Sequence, residues 1–196
     1  MKTKGFSSVK EWLKKINLTL SDDSIAQLFE VMRSVNYKKG EHLTNIGDVE
    51  NRLYFITSGV ARAYFTHDNE EYSFRFFFDN EFTSAYFSFI TRTPSEDGLQ
   101  ALSNLHAYCL DYDSLEKISK ANPEIQLLRQ KSIEYFYLEK INAQKQLLCL
   151  TAEERYKELV DNEKNWIQEI PLKHLATFLG IKPQSLSRIR KTWKND

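Results

Sequence analysis

The sequence predicts an α+β protein with three parts in order: an N-terminal double-stranded β-helix (jelly roll), a long connecting helix and a C-terminal helix-turn-helix. Three observations carry this. Between about Val35 and Asp111 apolar residues alternate in short runs separated by turn signals. From Pro123 to about Leu150 no further Gly or Pro occurs, and Leu, Gln, Lys and Glu dominate. From Pro171 onward, two short apolar stripes lie on either side of Gly180.

Val9, Trp12, Leu13 and Ile16 fall at helical spacing and predict a helix over 8–16. Ser21 reads as the N-cap of a second helix that carries Ile25, Leu28, Phe29 and Met32 on one face. The turn signals that follow are Lys39-Gly40, Gly47-Asp48, Ser58-Gly59 and His67-Asp68-Asn69. Between them Ala61, Ala63 and Phe65 alternate with Val60, Arg62 and Tyr64, and Tyr72, Phe74, Phe76 and Phe78 alternate with Ser73, Arg75 and Phe77. Strands this short and evenly spaced indicate an antiparallel sandwich or roll. Residues 81–100 break the pattern, as a short helix and a polar loop would. Strand-like alternation resumes over Ala101–Asp111, and a helix begins near Ser114.

The long helix carries Leu128, Tyr135, Leu138, Ile141 and Leu148 as a near-heptad stripe interrupted by polar positions such as Lys145. Such a stripe predicts pairing with a second copy; packing back across the β domain of the same chain is its other use. Thr151 caps a further helix to about Asn162, and Trp166–Ile170 leads on as a strand. Leu172, Leu175, Ala176 and Leu179 then form one short apolar stripe, and Leu186, Ile189 and Trp193 a second. Gly180 supplies the permissive backbone between them, and Pro183 suits a first helical position because its missing N–H costs nothing there. The domains expected are 1–121, 122–150 and 151–196.

Hydrophobic content of 41% with 28% charged residues is that of an ordinary globular chain, and no apolar run reaches the length of a membrane span. With no signal-peptide core after the first residues, and with Cys109 and Cys149 too few and too distant for a disulfide framework or a metal site, a cytoplasmic, reduced protein is expected, without cofactor or metal. Formal net charge is zero, but its distribution is uneven. Beyond Pro171, Lys173, Lys182, Arg188, Arg190, Lys191 and Lys194 face only Asp196, whereas the first half is loaded with acid.

That basic tip points to a partner. With Leu186 and Ile189 turned inward, Lys182, Gln184, Ser185, Ser187, Arg188, Arg190 and Lys191 remain on the outer face or flanks of the second short helix. Gln reads adenine N6/N7 and Arg reads guanine O6/N7 in the major groove, while Ser and Lys suit phosphate oxygens. These seven residues are the candidate DNA-binding set, and Lys182, a poor N-cap, suits a phosphate better than a helix dipole. The partner expected is double-stranded DNA with a palindromic operator, met by a homodimer joined through 122–150; no membrane partner is expected.

A roll, a long helix and a terminal helix-turn-helix in this order resemble the Crp/Fnr family of bacterial transcription regulators. The residues that carry the resemblance are Lys39-Gly40-Glu41, Gly47-Asp48, the run from Leu53 to Val60, and the spacing of Leu175, Ala176, Leu179, Gly180, Ile181, Leu186 and Ile189. The resemblance implies a cyclic-nucleotide-binding-like domain at the N-terminus, with a phosphate-binding segment that starts on Gly-Glu and ends on Arg and a small hydroxylated residue. The matching part of this chain runs from Phe82 to Gln100; it lacks the Gly-Glu pair, and Asp97 stands where the Arg is expected. A carboxylate repels a cyclic phosphate, and Arg92 has the wrong spacing to compensate. Cyclic AMP binding is therefore expected to be lost or weak, with Phe82, Thr83, Ser84, Tyr86, Arg92 and Gln100 as the candidate positions for an unidentified small-molecule effector. The family usually continues past the recognition helix with a strand or more, so here any wing is expected from the strand at Trp166–Ile170. Two readings stay open beside this one: a metal-dependent cupin-like enzyme using His42 and His106, and a small-molecule-binding protein without DNA binding.

Overall fold

The computed structural model describes residues 2–192. Helices α1 (Lys2–Lys15) and α2 (Asp22–Val31) precede eight strands: β1 (Arg33–Tyr37), β2 (His42–Thr44), β3 (Arg52–Ser58), β4 (Ala61–His67), β5 (Glu70–Phe77), β6 (Glu81–Thr83), β7 (Asp97–Ala101) and β8 (Leu105–Asp111). Helix α3 (Tyr86–Thr91) lies between β6 and β7. Six helices follow: α4 (Tyr112–Ala121), α5 (Pro123–Cys149), α6 (Ala152–Asn162), α7 (Lys164–Glu169), α8 (Leu172–Phe178) and α9 (Pro183–Thr192). The chain divides into two compact units, one of residues 1–63 and 76–137, the other of 64–75 and 138–196.

The strands form two four-stranded sheets, β1-β8-β3-β6 and β2-β7-β4-β5, antiparallel at every pairing of known register. This is the jelly roll that the alternation predicts. Leu43, Ala61, Ala63, Phe77, Leu99 and Ala101 from one sheet meet Tyr54, Ile56, Leu105, Ala107 and Cys109 from the other. Gly59 turns β3 into β4 at φ +103, and a Cβ there would sit 2.5 Å from the Asn104 carbonyl oxygen, so no side chain fits. The β4–β5 turn is built on Asp68 and Asn69, both at positive φ (51 and 62), as a two-residue hairpin loop demands.

The opposite face of the first sheet is covered by helices. Val9, Trp12, Leu13 and Ile16 of the α1 segment and Ile25, Leu28 and Phe29 of α2 pack with Phe55, Tyr108, Leu110, Ile125 and Leu128. Trp12 is completely buried; its indole N–H donates to Ser132 Oγ at 3.0 Å, and its ring stacks on Phe136 at 5.3 Å. Ser21 caps α2 by accepting from the Ser24 amide, and Thr151 and Glu154 form a complete capping box on α6.

Two expectations need correction. Residues 164–169 are helical rather than a strand. Trp166 sets its ring edge-on to Phe178 at 5.1 Å, and Ile170, four residues on, is buried, a spacing that suits a helix. The stripe read on the long helix also divides. Leu128 and Tyr135 pack into the chain's own core, whereas Leu138 and Leu148 are 60% and 78% exposed. Trp193, expected on the last stripe, lies outside the described residues.

Candidate nucleic-acid interface and effector segment

The terminal helix pair is built by local chemistry. Leu175, Ala176 and Leu179 are buried. α8 ends in a two-bond αL closure: the Gly180 amide donates to Thr177 O and the Ile181 amide to Ala176 O, each at 3.0 Å, with Gly180 at φ +69. Lys182 then offers its carbonyl to the amides of Ser185 and Leu186 at 3.0 and 3.2 Å, with Pro183 in the first helical position.

Leu186 and Ile189 anchor α9 inward. Lys182, Gln184, Arg188 and Lys191 are exposed, and Ser185, Ser187 and Arg190 are half-buried. Gln184, Arg188 and Lys191, at spacings of four and three, share one outward stripe. Among the described residues, Arg188 Nη2 donates to Ser185 Oγ in a long hydrogen bond of 3.4 Å.

A residue that periodicity does not reveal supports this pair from behind. Arg155, in the first turn of α6, donates through Nη1 to the Leu150 carbonyl and through Nη2 to the Leu179 carbonyl at 2.7 Å. Hydrogen bonds to backbone carbonyls depend on where two helix ends meet, and they leave no pattern in the sequence.

The candidate effector residues do not converge. Phe82 lies in the helix-side core, 4.7 Å from Phe55 and 6.0 Å from Trp12 between ring centroids. Thr83 is paired across from Tyr54 and fully enclosed. Ser84 Oγ donates to the Arg52 carbonyl at 2.9 Å. Tyr86 opens α3, where burial pushes its phenol above the usual range against the pull of the Arg129 guanidinium. Arg92 ends α3 in the left-handed region and binds Glu50 O and Asn51 Oδ1, both at 2.7 Å, with its guanidinium 4.8 Å above the Tyr112 ring. It braces the corner before β3. Gln100 accepts from Arg62 Nε and Nη2 at 2.9 and 2.7 Å and donates to Gly40 O. By strand alternation it faces away from Leu99 and Ala101, while Asp97 shares their inward face.

Also unread from sequence is Glu50, buried beneath this corner. It accepts from Thr44 Oγ1 and the Arg52 amide, and burial raises its carboxyl above the ordinary value despite those bonds. Of the two histidines considered for metal chemistry, His106 sets Nε2 2.9 Å from Ser34 Oγ and Nδ1 against Thr57 Oγ1. Among the described residues no three His, Cys, Asp or Glu side chains gather as a metal-binding group. Nor is any described helix long and apolar enough to cross a membrane.

Comparison with known proteins agrees with this architecture. Residues 34–122 match the cyclic nucleotide-binding domain family. Among solved structures, CLP of Xanthomonas campestris, described as a c-di-GMP responsive global regulator, superposes with a TM-score of 0.73 at 16% identity, over 90% of this chain and 93% of its own. FixK2 of Bradyrhizobium japonicum matches with a TM-score of 0.73 at 14% identity, over 84% and 85%. A chain from Eubacterium rectale assigned to the crp/fnr family of transcriptional regulators matches with 0.69 at 17% identity, over 89% and 84%. The chain has the Crp/Fnr fold. The Crp/Fnr resemblance read from Gly40, Gly47, Gly59 and Gly180 agrees with that fold along most of the chain. No curated protein sequence matches it significantly.

Proposed function

We propose that this protein is a cytoplasmic, homodimeric, sequence-specific DNA-binding transcription regulator of the Crp/Fnr type. In this reading residues 1–121 are the effector domain, 122–150 the dimerisation helix and 151–196 the DNA-binding domain. α9 reads half-sites of a palindromic operator about one helical turn apart. The observation that carries it is the outward stripe of Gln184, Arg188 and Lys191 on a helix anchored by Leu186 and Ile189. Arg188 and Gln184 take base edges; Lys182, Ser185, Ser187, Arg190 and Lys191 take phosphates or flank them. Dimerisation is supported by the exposed Tyr137, Leu138 and Leu148 on the second half of α5.

Cyclic AMP is not the effector in this reading. Asp97 presents acid on the inward face of β7, and Arg92 is committed to Glu50 and Asn51. The test is selection from a random-duplex pool with the ligand-free protein, with and without cyclic AMP. A palindrome is expected to be enriched equally in both. Arg188→Ala should cost about 1–3 kcal/mol at one base position, and Lys191→Ala should weaken all sites alike and lower the salt slope by about 1. Failure to enrich any sequence, in either condition or with added metabolite extract, would remove the DNA-binding reading.

A further inference from the structure

We propose that Arg155 is the positioning residue that fixes the half-site spacing the dimer accepts, by clamping the helix-turn-helix to the end of α5. The inference rests on the DNA-binding reading above.

The geometry is that of one planar cation between two helix ends. Leu150 follows the last residue of α5, and Leu179 is the C-cap of α8; both carbonyls accept from the same guanidinium. Each helix C-terminus leaves carbonyls without intrahelical donors and carries partial negative charge, so a cation bridging both is doubly favoured. A guanidinium offers two Nη donors in a fixed fork, and an ammonium on a flexible stem does not. α6 does not need Arg155 for its own start, because Thr151 and Glu154 cap it. The turn lies directly on this clamp. A Cβ at Gly180 would be 3.8 Å from Arg155 Nη2 and 3.9 Å from Leu147 Cδ2, the latter in the last turn of α5.

The consequence follows from symmetry. Two copies paired along α5 place their recognition helices wherever the joint between α5 and α8 directs them. A stiff joint holds the two α9 helices at one separation and one angular phase, so the second half-site binds as an intramolecular event at high effective concentration. A loosened joint leaves each α9 able to read its half-site but removes the advantage of the matched pair. Arg155 is thus expected to control spacing while contributing little to the reading of a single half-site.

The experiment compares wild type with Arg155→Met and Arg155→Lys on three duplexes: the selected palindrome, the same palindrome with one base pair added between half-sites, and a single half-site. The full-length protein is used, and each variant is melted to confirm folding. For Arg155→Met, palindrome affinity should fall on the order of tenfold while half-site affinity stays within about twofold, because only avidity is lost. Discrimination against the longer spacing should shrink in parallel. Arg155→Lys, which keeps the charge without the fork, should show the same pattern in smaller measure and serves alone if the Met variant does not fold. Equal losses on palindrome and half-site would overturn the proposal, since Arg155 would then act on the recognition helix itself. So would unchanged discrimination. If wild-type protein selects no duplex, the DNA-binding reading fails and this one fails with it, an outcome distinct from the other two.

Discussion

The two halves of α5 belong to one unbroken helix of 27 residues, yet they live in different surroundings. In the first half Ile125, Leu128 and Ser132 are buried at spacings of three and four, and the α1 segment covers them with Trp12, Leu13 and Ile16. In the second half Tyr137, Leu138, Leu147 and Leu148 are all more than half exposed. Apolar residues at similar density thus serve the chain's own core at one end and remain uncovered at the other. Because the two stripes occupy different faces, the helix has no single apolar side, and its period alone does not assign either stripe to a partner.

The comparison breaks most sharply at Trp12. Trp12→Ala removes a fully buried ring and leaves Ser132 Oγ without its indole donor; it should cost about 3–5 kcal/mol in urea unfolding. A loss below one kilocalorie would mean that the first half of α5 does not depend on α1. A smaller effect is expected from Leu148→Glu. It should leave subunit stability within about 0.5 kcal/mol, as surface substitutions do. It should raise the dimer dissociation constant by roughly tenfold in sedimentation, as loss of an apolar interface contact does. A protein that sediments as monomer before and after the change would refute the pairing.

The smallest effect is a pH dependence confined to the first half. Burial opposes the Lys15 ammonium, but its ion pair with Glu81 and the Tyr135 phenol together outweigh that, and the net shift is upward. A cation whose folded value is raised adds stability that is complete below the unfolded value, about 10.4, and is lost as pH climbs through the folded one. Lys15→Met should therefore lower stability through the neutral region, where the contribution is complete, and flatten the alkaline limb of the stability profile. An alkaline limb equally steep in the variant would assign it to another group.

Local signals in the sequence were enough for the terminal helix pair and for α1, α2 and α6. Gly180, Pro183, Ser21 and the Thr151–Glu154 box act on their own neighbours, so their meaning does not depend on distant residues. The roll was legible because its turns need positive φ at Gly40, Gly47 and Gly59. What escaped was set by partners far along the chain. Trp166 read as a strand residue because its helical partner, Phe178, lies across a turn. Arg92 looked available for a ligand until Glu50 and Asn51 proved to hold it, and Arg155 carried no signal because its partners are carbonyls.

The bond from Trp12 to Ser132 joins residues 120 positions apart. During synthesis the first helix therefore emerges long before its seat exists. At roughly 5–20 residues per second the apolar face of Val9, Trp12, Leu13 and Ile16 waits on the order of ten seconds for α5 to be made. Contacts of such separation slow folding, because the intervening chain must be ordered before they form. The nascent protein consequently passes through a stage in which α1 and α2 have been made but the part of their seat that α5 supplies has not. In that interval it presents to chaperones the surface that the finished molecule hides.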